Sequence, residues 1–169
     1  MTKWVIVSDN HTEQGILFNV INQHDDIDVA IHLGDSELAY DDSELSHFYK
    51  VKGNTDFYPE FPNEQTIDIR GIKAFLTHGH LYSVNRTRMN IAQQAKASDC
   101  QFAFYGHTHV AKHEVISGVH VINPGSISQS RSDIEETYAE LLIDETNQSA
   151  TLNFRNRDHK IINSENFTI

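Results

Sequence analysis

The chain of 169 residues has one cysteine and no long apolar run. A single thiol, Cys100, excludes an internal disulfide and favours a reducing compartment, because disulfides persist in oxidising ones. No stretch approaches the ~20 consecutive apolar residues that a membrane-spanning helix needs. The apolar run before Ser8 is also too short for the core of a signal peptide. The sequence therefore predicts a cytoplasmic protein with no membrane partner.

Positive charge is scarce as well. Lysine and arginine total 13 against 24 aspartate and glutamate residues, which gives a formal net charge of −11. A surface this acidic argues against binding of long nucleic acid through its phosphates. It does not argue against a small phosphorylated substrate, because bound divalent cations reverse the sign of the charge locally. The length fits one domain, residues 1–169, with a core of its own.

Apolar patterning predicts strands and helices that alternate in the first half of the chain. Trp4–Val7 is a continuous apolar run, typical of a strand buried on both faces. Helical spacing follows in Gly15–Gln23, and Ile27–Leu33 predicts a second strand. Acidic Asp41–Ser43 is expected to precede a short helix that ends near Phe48. Further strands are predicted at 49–52, 65–69, 72–76, 102–105, 112–116, 119–122, 138–143 and 150–154, and a further helix at 85–97. The polar tail from Asn156 is expected either to pack loosely or to dock through Phe167 and Ile169.

Five polar turns each follow a predicted strand. They are Asp9-Asn10-His11, Gly34-Asp35, Gly53-Asn54-Thr55-Asp56, His78-Gly79-His80 and Gly106-His107-Thr108-His109. Ligands of open α/β sheets bind outside the carboxyl ends of the strands, so we expect the Asp9 and Asp35 turns at one edge of the sheet. Oxygen and imidazole donors without thiolate suit Mn²⁺, Fe, Zn²⁺, Ni²⁺ or Co²⁺ better than a structural zinc site. The candidate ligands are Asp9, His11, Asp35, Asn54, His78, His107 and His109, too many for one open metal but enough for two if one carboxylate bridges.

Each turn also has an ordinary explanation when taken alone. Two histidines at a strand end can bond to neighbouring groups, Asp9 can cap the following helix, and Asp35 and Asn54 are common turn residues. These explanations do not account for both acids at strand ends beside histidines. Asp56 is expected to fix its loop, and His80 either touches substrate or orients the His78 turn.

The remaining polar residues are expected to serve structure or surface. This group comprises His24, His32, His47, His113, His120, His159, Arg86 and Arg88. No serine or cysteine is paired with a base in a recognisable nucleophile motif, so we expect no covalent intermediate on the chain.

The five motifs, in this order and at these strand ends, resemble those of the calcineurin-like metallophosphoesterase superfamily. The length and the Asn123-Pro124-Gly125-Ser126 turn are similar to its small YfcE-like phosphodiesterase branch, and the resemblance runs from Val5 to about Ser126. It implies an α/β fold, a four-layer αββα sandwich of two mixed β-sheets flanked by helices, with the site on loops at one edge. The implied ligand sets are Asp9, His11 and His109 for one metal, Asn54, His78 and His107 for the other, and Asp35 as the bridge.

The resemblance also implies a reaction. Two divalent ions, with Mn²⁺ favoured and Ni, Fe, Zn, Co or Mg as alternatives, would carry about +4 against about −3 from Asp9, Asp35 and a bridging hydroxide. The expected reaction is attack of this hydroxide on the phosphorus of a small phosphodiester, with Asp35, Asn54 and His80 as catalytic residues. Larger family members place a leaving-group histidine where this chain has Thr55, whose hydroxyl is no general acid near neutral pH.

Two other functions compete with this expectation. A eukaryotic retromer subunit resembles the same fold and serves as a protein-interaction scaffold with a degraded site. The complete set of ligand types here disfavours a scaffold with little or no catalysis, and the negative charge disfavours a nuclease. A homodimer is a plausible assembly.

Overall fold

Two mixed β-sheets face each other across an apolar core in the computed structural model, which describes all of residues 1–169. One sheet has the strand order β11-β10-β9-β1-β2-β3, and the other has the order β4-β5-β6-β8-β7. The strands are β1 (Thr2–Val7), β2 (Val29–His32), β3 (Tyr49–Lys50), β4 (Glu64–Ile69), β5 (Ile72–Thr77), β6 (Phe102–Phe104), β7 (Lys112–Ile116), β8 (Val119–Asn123), β9 (Thr137–Asp144), β10 (Ser149–Asn156) and β11 (Ile161–Thr168). The helices are α1 (Ile16–Gln23) and α2 (Met89–Ala97), with 3₁₀ turns at Ser43–Leu45 and His80–Tyr82.

The core between the sheets is aromatic at its centre. Trp4 on β1 is fully buried and meets Phe102 and Phe104 on β6, with ring centroids 6.5 and 6.1 Å apart. Burial of such large side chains contributes most of the favourable free energy of folding. The outer faces are covered by α1, which packs against β1 and β2, and by α2, which packs against β5, β6 and β8. The predicted four-layer sandwich is therefore confirmed.

Parallel pairing brings the strand ends that carry the motifs to one edge. In the first sheet β1, β2 and β3 are parallel, and in the second β5, β6 and β8 are parallel. Their carboxyl ends lead into the five polar turns and into the Asn123–Ser126 turn after β8. As predicted, the Asp9 and Asp35 turns are neighbours, since the Asp9 amide donates to the Gly34 carbonyl at 3.1 Å.

Of the two alternatives for the tail, loose packing was wrong, and docking of Phe167 and Ile169 is confirmed because both pack against the core. Residues after Asn156 turn back and form β11, which pairs antiparallel with β10 from Ser149 opposite Thr168. Phe167 anchors this edge strand, with its ring 4.4 Å from the ring of His120. The polar residues of β11 hid the strand because nearly all of them remain partly or fully exposed.

The second predicted helix begins four residues later than expected, at Met89 instead of Asn85. Ser83 lies at φ 54°, and the amides of Arg86 and Thr87 both donate to its carbonyl, which makes a separate turn. Met89, the first residue of α2, is 45% exposed. The strands predicted at 27–33 and 49–52 are also shorter, and the helix predicted after Asp41–Ser43 is only a 3₁₀ turn.

None of the helices is long and apolar enough to cross a membrane.

Candidate metal centre

The loops at the strand ends are tied to one another by backbone hydrogen bonds. The His11 amide donates to the Asp35 carbonyl at 3.0 Å, and the Gly106 amide donates to the His78 carbonyl at 2.9 Å. The Asn123–Ser126 turn joins both sides, because Asn123 Nδ2 donates to the Gly106 carbonyl and Ser126 Oγ donates to the Asp9 carbonyl. Loops from both sheets therefore form one rigid cluster.

Five of the candidate ligands adopt left-handed backbone conformations. The φ angles are 59° at Asp9, 42° at His11, 59° at Asp35, 72° at His107 and 61° at His109. Such angles are rare outside glycine and cost on the order of 1–3 kcal/mol each when the surrounding structure imposes them. Eight other non-glycine residues also have positive φ, so these angles alone do not mark the site, but they fix the side-chain directions of five candidate ligands.

Two glycines allow the loops to approach this closely. A Cβ atom on Gly106 would overlap Ser8 Oγ and would lie 2.7 Å from Asp9 Oδ2. A Cβ atom on Gly53 would overlap the side chain and the amide of Asp35. Only glycine fits at either position without displacing a candidate ligand.

The first ligand group consists of Asp9, His11 and His109. Asp9 Oδ1 lies 3.2 Å from His109 Nε2 and 3.6 Å from His11 Nε2, and the two Nε2 atoms are 3.2 Å apart. The other ring nitrogen of each histidine is held by an acceptor: His11 Nδ1 by Glu37 Oε1 at 2.9 Å, and His109 Nδ1 by the Gln129 carbonyl at 2.6 Å. Since a neutral imidazole has one N–H, both Nε2 atoms then present lone pairs.

The second group consists of Asp35, His78 and His107, with Asn54 beside them. His78 Nδ1 donates to the Leu33 carbonyl at 2.7 Å, so its Nε2 faces Asp35 Oδ2 at 3.2 Å as another acceptor. His107 Nδ1 lies 3.0 Å from Asn54 Oδ1. At that spacing the nitrogen donates a hydrogen bond to the amide oxygen, or both atoms bind one cation.

The two groups share a boundary formed by the carboxylates. Asp9 Oδ1 is 3.8 Å from His78 Nε2, and Asp35 Oδ2 is 3.9 Å from His11 Nε2. Neither Asp9 Oδ1 nor His78 Nε2 has a hydrogen-bond partner, although both are buried. Converging acceptors of this kind are stable only with protons or cations between them. The arrangement fits two adjacent divalent ions.

The pKa directions show the same demand for positive charge. Burial alone would raise the pKa of Asp9, but contacts with His109 and His11 hold it well below its usual range. The contact with Asp9 raises the pKa of His11 to about 9 against the effect of burial. Burial opposes charge on His78 as well, yet Asp35 and Asp9 raise its pKa. The carboxylates therefore favour positive charge at this site, whether on an imidazole or on a bound cation.

All seven predicted ligands lie together, so the structure supports their grouping. Their role as metal ligands stays a prediction.

His80 lies at the margin, with its ring 5.5 Å from the ring of His78 and 6.2 Å from that of His107. Burial lowers the pKa of His80, and its buried Nδ1 has no hydrogen-bond partner. The Thr55 hydroxyl is likewise buried without a partner, while its amide donates to Asp35 Oδ1 at 3.0 Å.

Sequence reasoning missed the residues that hold the ligands. Glu37 fixes His11, and its place two residues after Asp35 was the available signal. Gln129 acts through its backbone carbonyl, for which side-chain identity gives no signal. His32 was expected to be structural, and its buried ring contacts Asn10 Oδ1 at 2.8 Å. Arg88, expected at the surface, binds Glu114.

The fold and the paired ligand groups define a protein of the metallophosphoesterase type. The calcineurin-like phosphoesterase superfamily domain matches residues 2–146. The probable metallophosphoesterase YsnB of Bacillus subtilis is 36% identical over 151 residues, which cover 89% of this chain and 88% of that protein. This chain belongs to the calcineurin-like phosphoesterase superfamily, as predicted. The phosphoesterase Yfce of E. coli shares the fold, with a TM-score of 0.69 at 21% identity and coverage of 97% of this chain and 98% of that chain.

Two solved structures illustrate the range of the fold. A predicted phosphoesterase of Streptococcus pneumoniae superposes with a TM-score of 0.93 at 31% identity, covering 99% of this chain and 98% of the other. Vacuolar Protein Sorting 29 of Cryptosporidium parvum has a TM-score of 0.81 at 20% identity, with coverage of 99% and 98%. The second likeness concerns the fold alone.

Proposed function

We propose that this chain is a phosphodiesterase that uses two divalent metal ions to hydrolyse a small phosphorylated substrate. The observation that carries the proposal is the convergence of unpartnered acceptors, Asp9 Oδ1 and His78 Nε2 above all, between two groups of ligands. Asp9, His11 and His109 would hold one ion, His78, His107 and Asn54 the other, and Asp35 would contact both.

The ions would supply positive charge that acidifies a water and neutralises the phosphoryl oxygens. The chain supplies orientation. Glu37, Gln129 and Leu33 each accept from the Nδ1–H of one histidine, which fixes the ring and directs its Nε2 inward. Ligand histidines held in this way bind metal more tightly than free ones.

The substrate would approach from the side of Asn54 and His107, which are more exposed than Asp9 and His78. His80 is the one other imidazole beside this opening, within 6.2 Å of the His107 ring centroid. We assign His80 to hydrogen bonding with the phosphoryl group, and Asp35 and Asn54 to the reacting centre.

The Thr55 hydroxyl stands where larger family members have a histidine, and it cannot protonate a leaving group near neutral pH. We therefore expect diesters with good leaving groups, such as aryl diesters, to be the better substrates. Thr55→His should increase the rate with alkyl diesters more than with aryl diesters, as measured by kcat/KM for both classes. Equal effects on the two classes would contradict this role.

The alternative is a metal-binding scaffold, as the likeness to Vacuolar Protein Sorting 29 permits. The complete donor set and its fixed histidine rings favour the enzyme, because a scaffold does not need either. We further propose Mn²⁺ as the preferred ion, because the donors are oxygens and imidazoles. The single thiol is the basis for a proposed cytoplasmic location, and the net charge of −11 is the basis for no binding of long nucleic acid.

The direct test is hydrolysis of bis(p-nitrophenyl) phosphate and of p-nitrophenyl phosphate by metal-stripped protein, with Mn²⁺, Ni²⁺, Zn²⁺ and Mg²⁺ added back singly. Turnover of the diester should require a metal and should be abolished by Asp35→Asn. Asp25→Asn, at an exposed loop position, is the matched control and should leave turnover unchanged. Absence of turnover with every metal, despite two bound ions, would favour the scaffold.

A further inference from the structure

Arg157 lies in the turn between β10 and β11, far in sequence from every candidate ligand. Its guanidinium makes a two-pronged contact with Glu13, with Nη1 2.8 Å from Oε1 and Nη2 2.6 Å from Oε2. Such fork-to-fork contacts fix geometry as well as charge. The contact joins the C-terminal hairpin to the loop that follows His11.

Both members of the pair also hold the loop after β8. Ser128 Oγ donates to Glu13 Oε1 at 2.7 Å, and Arg157 Nη1 donates to the Ile127 carbonyl at 2.7 Å. Glu13 is itself tied to the first loop, since its amide donates to the Asn10 carbonyl at 2.9 Å. The pair therefore connects three chain segments at one point.

Two of these segments carry or hold the first ligand group. The Ile127 amide donates to the Ser8 carbonyl at 3.1 Å, next to Asp9. Two residues further along, the Gln129 carbonyl accepts from His109 Nδ1 at 2.6 Å. Movement of the 126–129 loop would thus turn the His109 ring and shift Asp9 together.

The second ligand group has different supports. His78 is held by the Leu33 carbonyl, and the Asp35 amide is held by Asp56. Neither Glu13 nor Arg157 makes a hydrogen bond to those residues. Although the His11 amide bonds to the Asp35 carbonyl, a disturbance at the pair should therefore affect the first group of ligands much more than the second.

We propose that Glu13 and Arg157 are a positioning pair for the first metal, through which the C-terminal hairpin sets the geometry of Asp9, His11 and His109. This inference rests on the proposed function, because it assumes that the two groups bind metal. It assigns a role to β11 and its turn, which lie outside all five motifs.

The test is Mn²⁺ binding to metal-stripped protein, followed by the electron paramagnetic resonance signal of free Mn²⁺, in two parent variants. His107→Ala weakens the second group and leaves the first, whereas His11→Ala does the reverse. Arg157→Ala should lower Mn²⁺ affinity about 3- to 10-fold in the His107→Ala parent. In the His11→Ala parent the change should stay below about twofold.

Two further variants separate positioning from general damage. Arg157→Lys keeps the charge but not the fork, and should give an intermediate loss in the His107→Ala parent. Lys3→Ala breaks an ion pair with Asp26, of 2.8 Å, at the amino end of β1 and away from the Asp9 turn, and should change neither parent. Circular dichroism should show the same fold in every variant.

Equal losses in both parents, or no loss in either, would overturn the positioning role while the proposed function stands. If the unmodified chain binds no Mn²⁺, Zn²⁺ or Ni²⁺, the proposed function fails and this inference fails with it.

Discussion

Substitution of Asp56 should lower the stability of the fold although Asp56 is not one of the candidate metal ligands. It is buried, and its carboxylate accepts three backbone N–H groups: Oδ2 from Asp35 at 2.9 Å and from Gly53 at 2.7 Å, and Oδ1 from Glu37 at 2.9 Å. These amides belong to the loops after β2 and β3, which carry Asp35 and Asn54. Asp56 binds no metal in the proposed arrangement, yet it holds both loops.

Asp56→Asn changes one oxygen of this carboxylate to an amide nitrogen. The remaining oxygen can keep only the hydrogen bonds that it already accepts. The new NH₂ group faces at least one backbone N–H and cannot accept a hydrogen bond from it. A hydrogen bond to a charged acceptor contributes about 1.5–3 kcal/mol, and an unsatisfied buried donor costs about 1–3 kcal/mol. With partial relaxation of the loops, we expect a loss of about 2–4 kcal/mol in the free energy of unfolding.

Urea denaturation of metal-stripped protein measures this loss without a contribution from bound ions. Asp144→Asn is the control, because Asp144 also accepts two bonds, from Asn147 N and Nδ2, but at the end of β9 beside an exposed turn. We expect the control to change stability by no more than about 0.5 kcal/mol. Wild-type stability in Asp56→Asn would refute the claim that this carboxylate holds the loops.

Three other predictions follow from single features. Gly106→Ala should lower Mn²⁺ affinity at least about tenfold, because the new methyl group displaces Asp9. Gly118→Ala is the control: its Cβ meets nothing within 4 Å, so this change should lower stability and leave Mn²⁺ affinity unchanged. Equal Mn²⁺ affinities of the two variants would contradict the steric argument. Burial lowers the pKa of His120 from 6.5, so the unfolded chain binds a proton that the folded chain does not. Stability should therefore fall as pH drops below about 6.5, by up to ~1.4 kcal/mol per unit, and His120→Gln should reduce this slope in urea titrations at pH 7 and 5. Mn²⁺ at 100 times its Kd should stabilise the fold by about 2.7 kcal/mol for each bound ion in the same assay, and no shift would contradict binding to the native state.

The candidate site could be predicted from the sequence because its residues are concentrated at strand ends. Asp9 and His107 each follow a short, strongly apolar strand, so local pattern was enough to place them on turns. Parallel pairing of β1 with β2 and of β5 with β6 then brings those turns together.

What the sequence did not reveal depends on distant or backbone contacts. β11 is polar, and its strand character comes from pairing with β10 and from the packing of Phe167 on His120. The Gln129 carbonyl that orients His109 would be present with any residue at that position. The start of α2 was misplaced because the turn at Ser83 competes with the helix, and helical spacing does not reveal a competing turn.

The most direct test of the two-metal centre is a crystal structure of the protein grown with Mn²⁺, with anomalous diffraction recorded near the manganese edge. We expect two anomalous peaks per chain, one among Asp9, His11 and His109 and one among Asn54, His78 and His107, with Asp35 between them. A single peak in only one group would contradict the two-metal centre. Absence of both peaks at saturating Mn²⁺, Zn²⁺ and Ni²⁺ would contradict the metal site altogether.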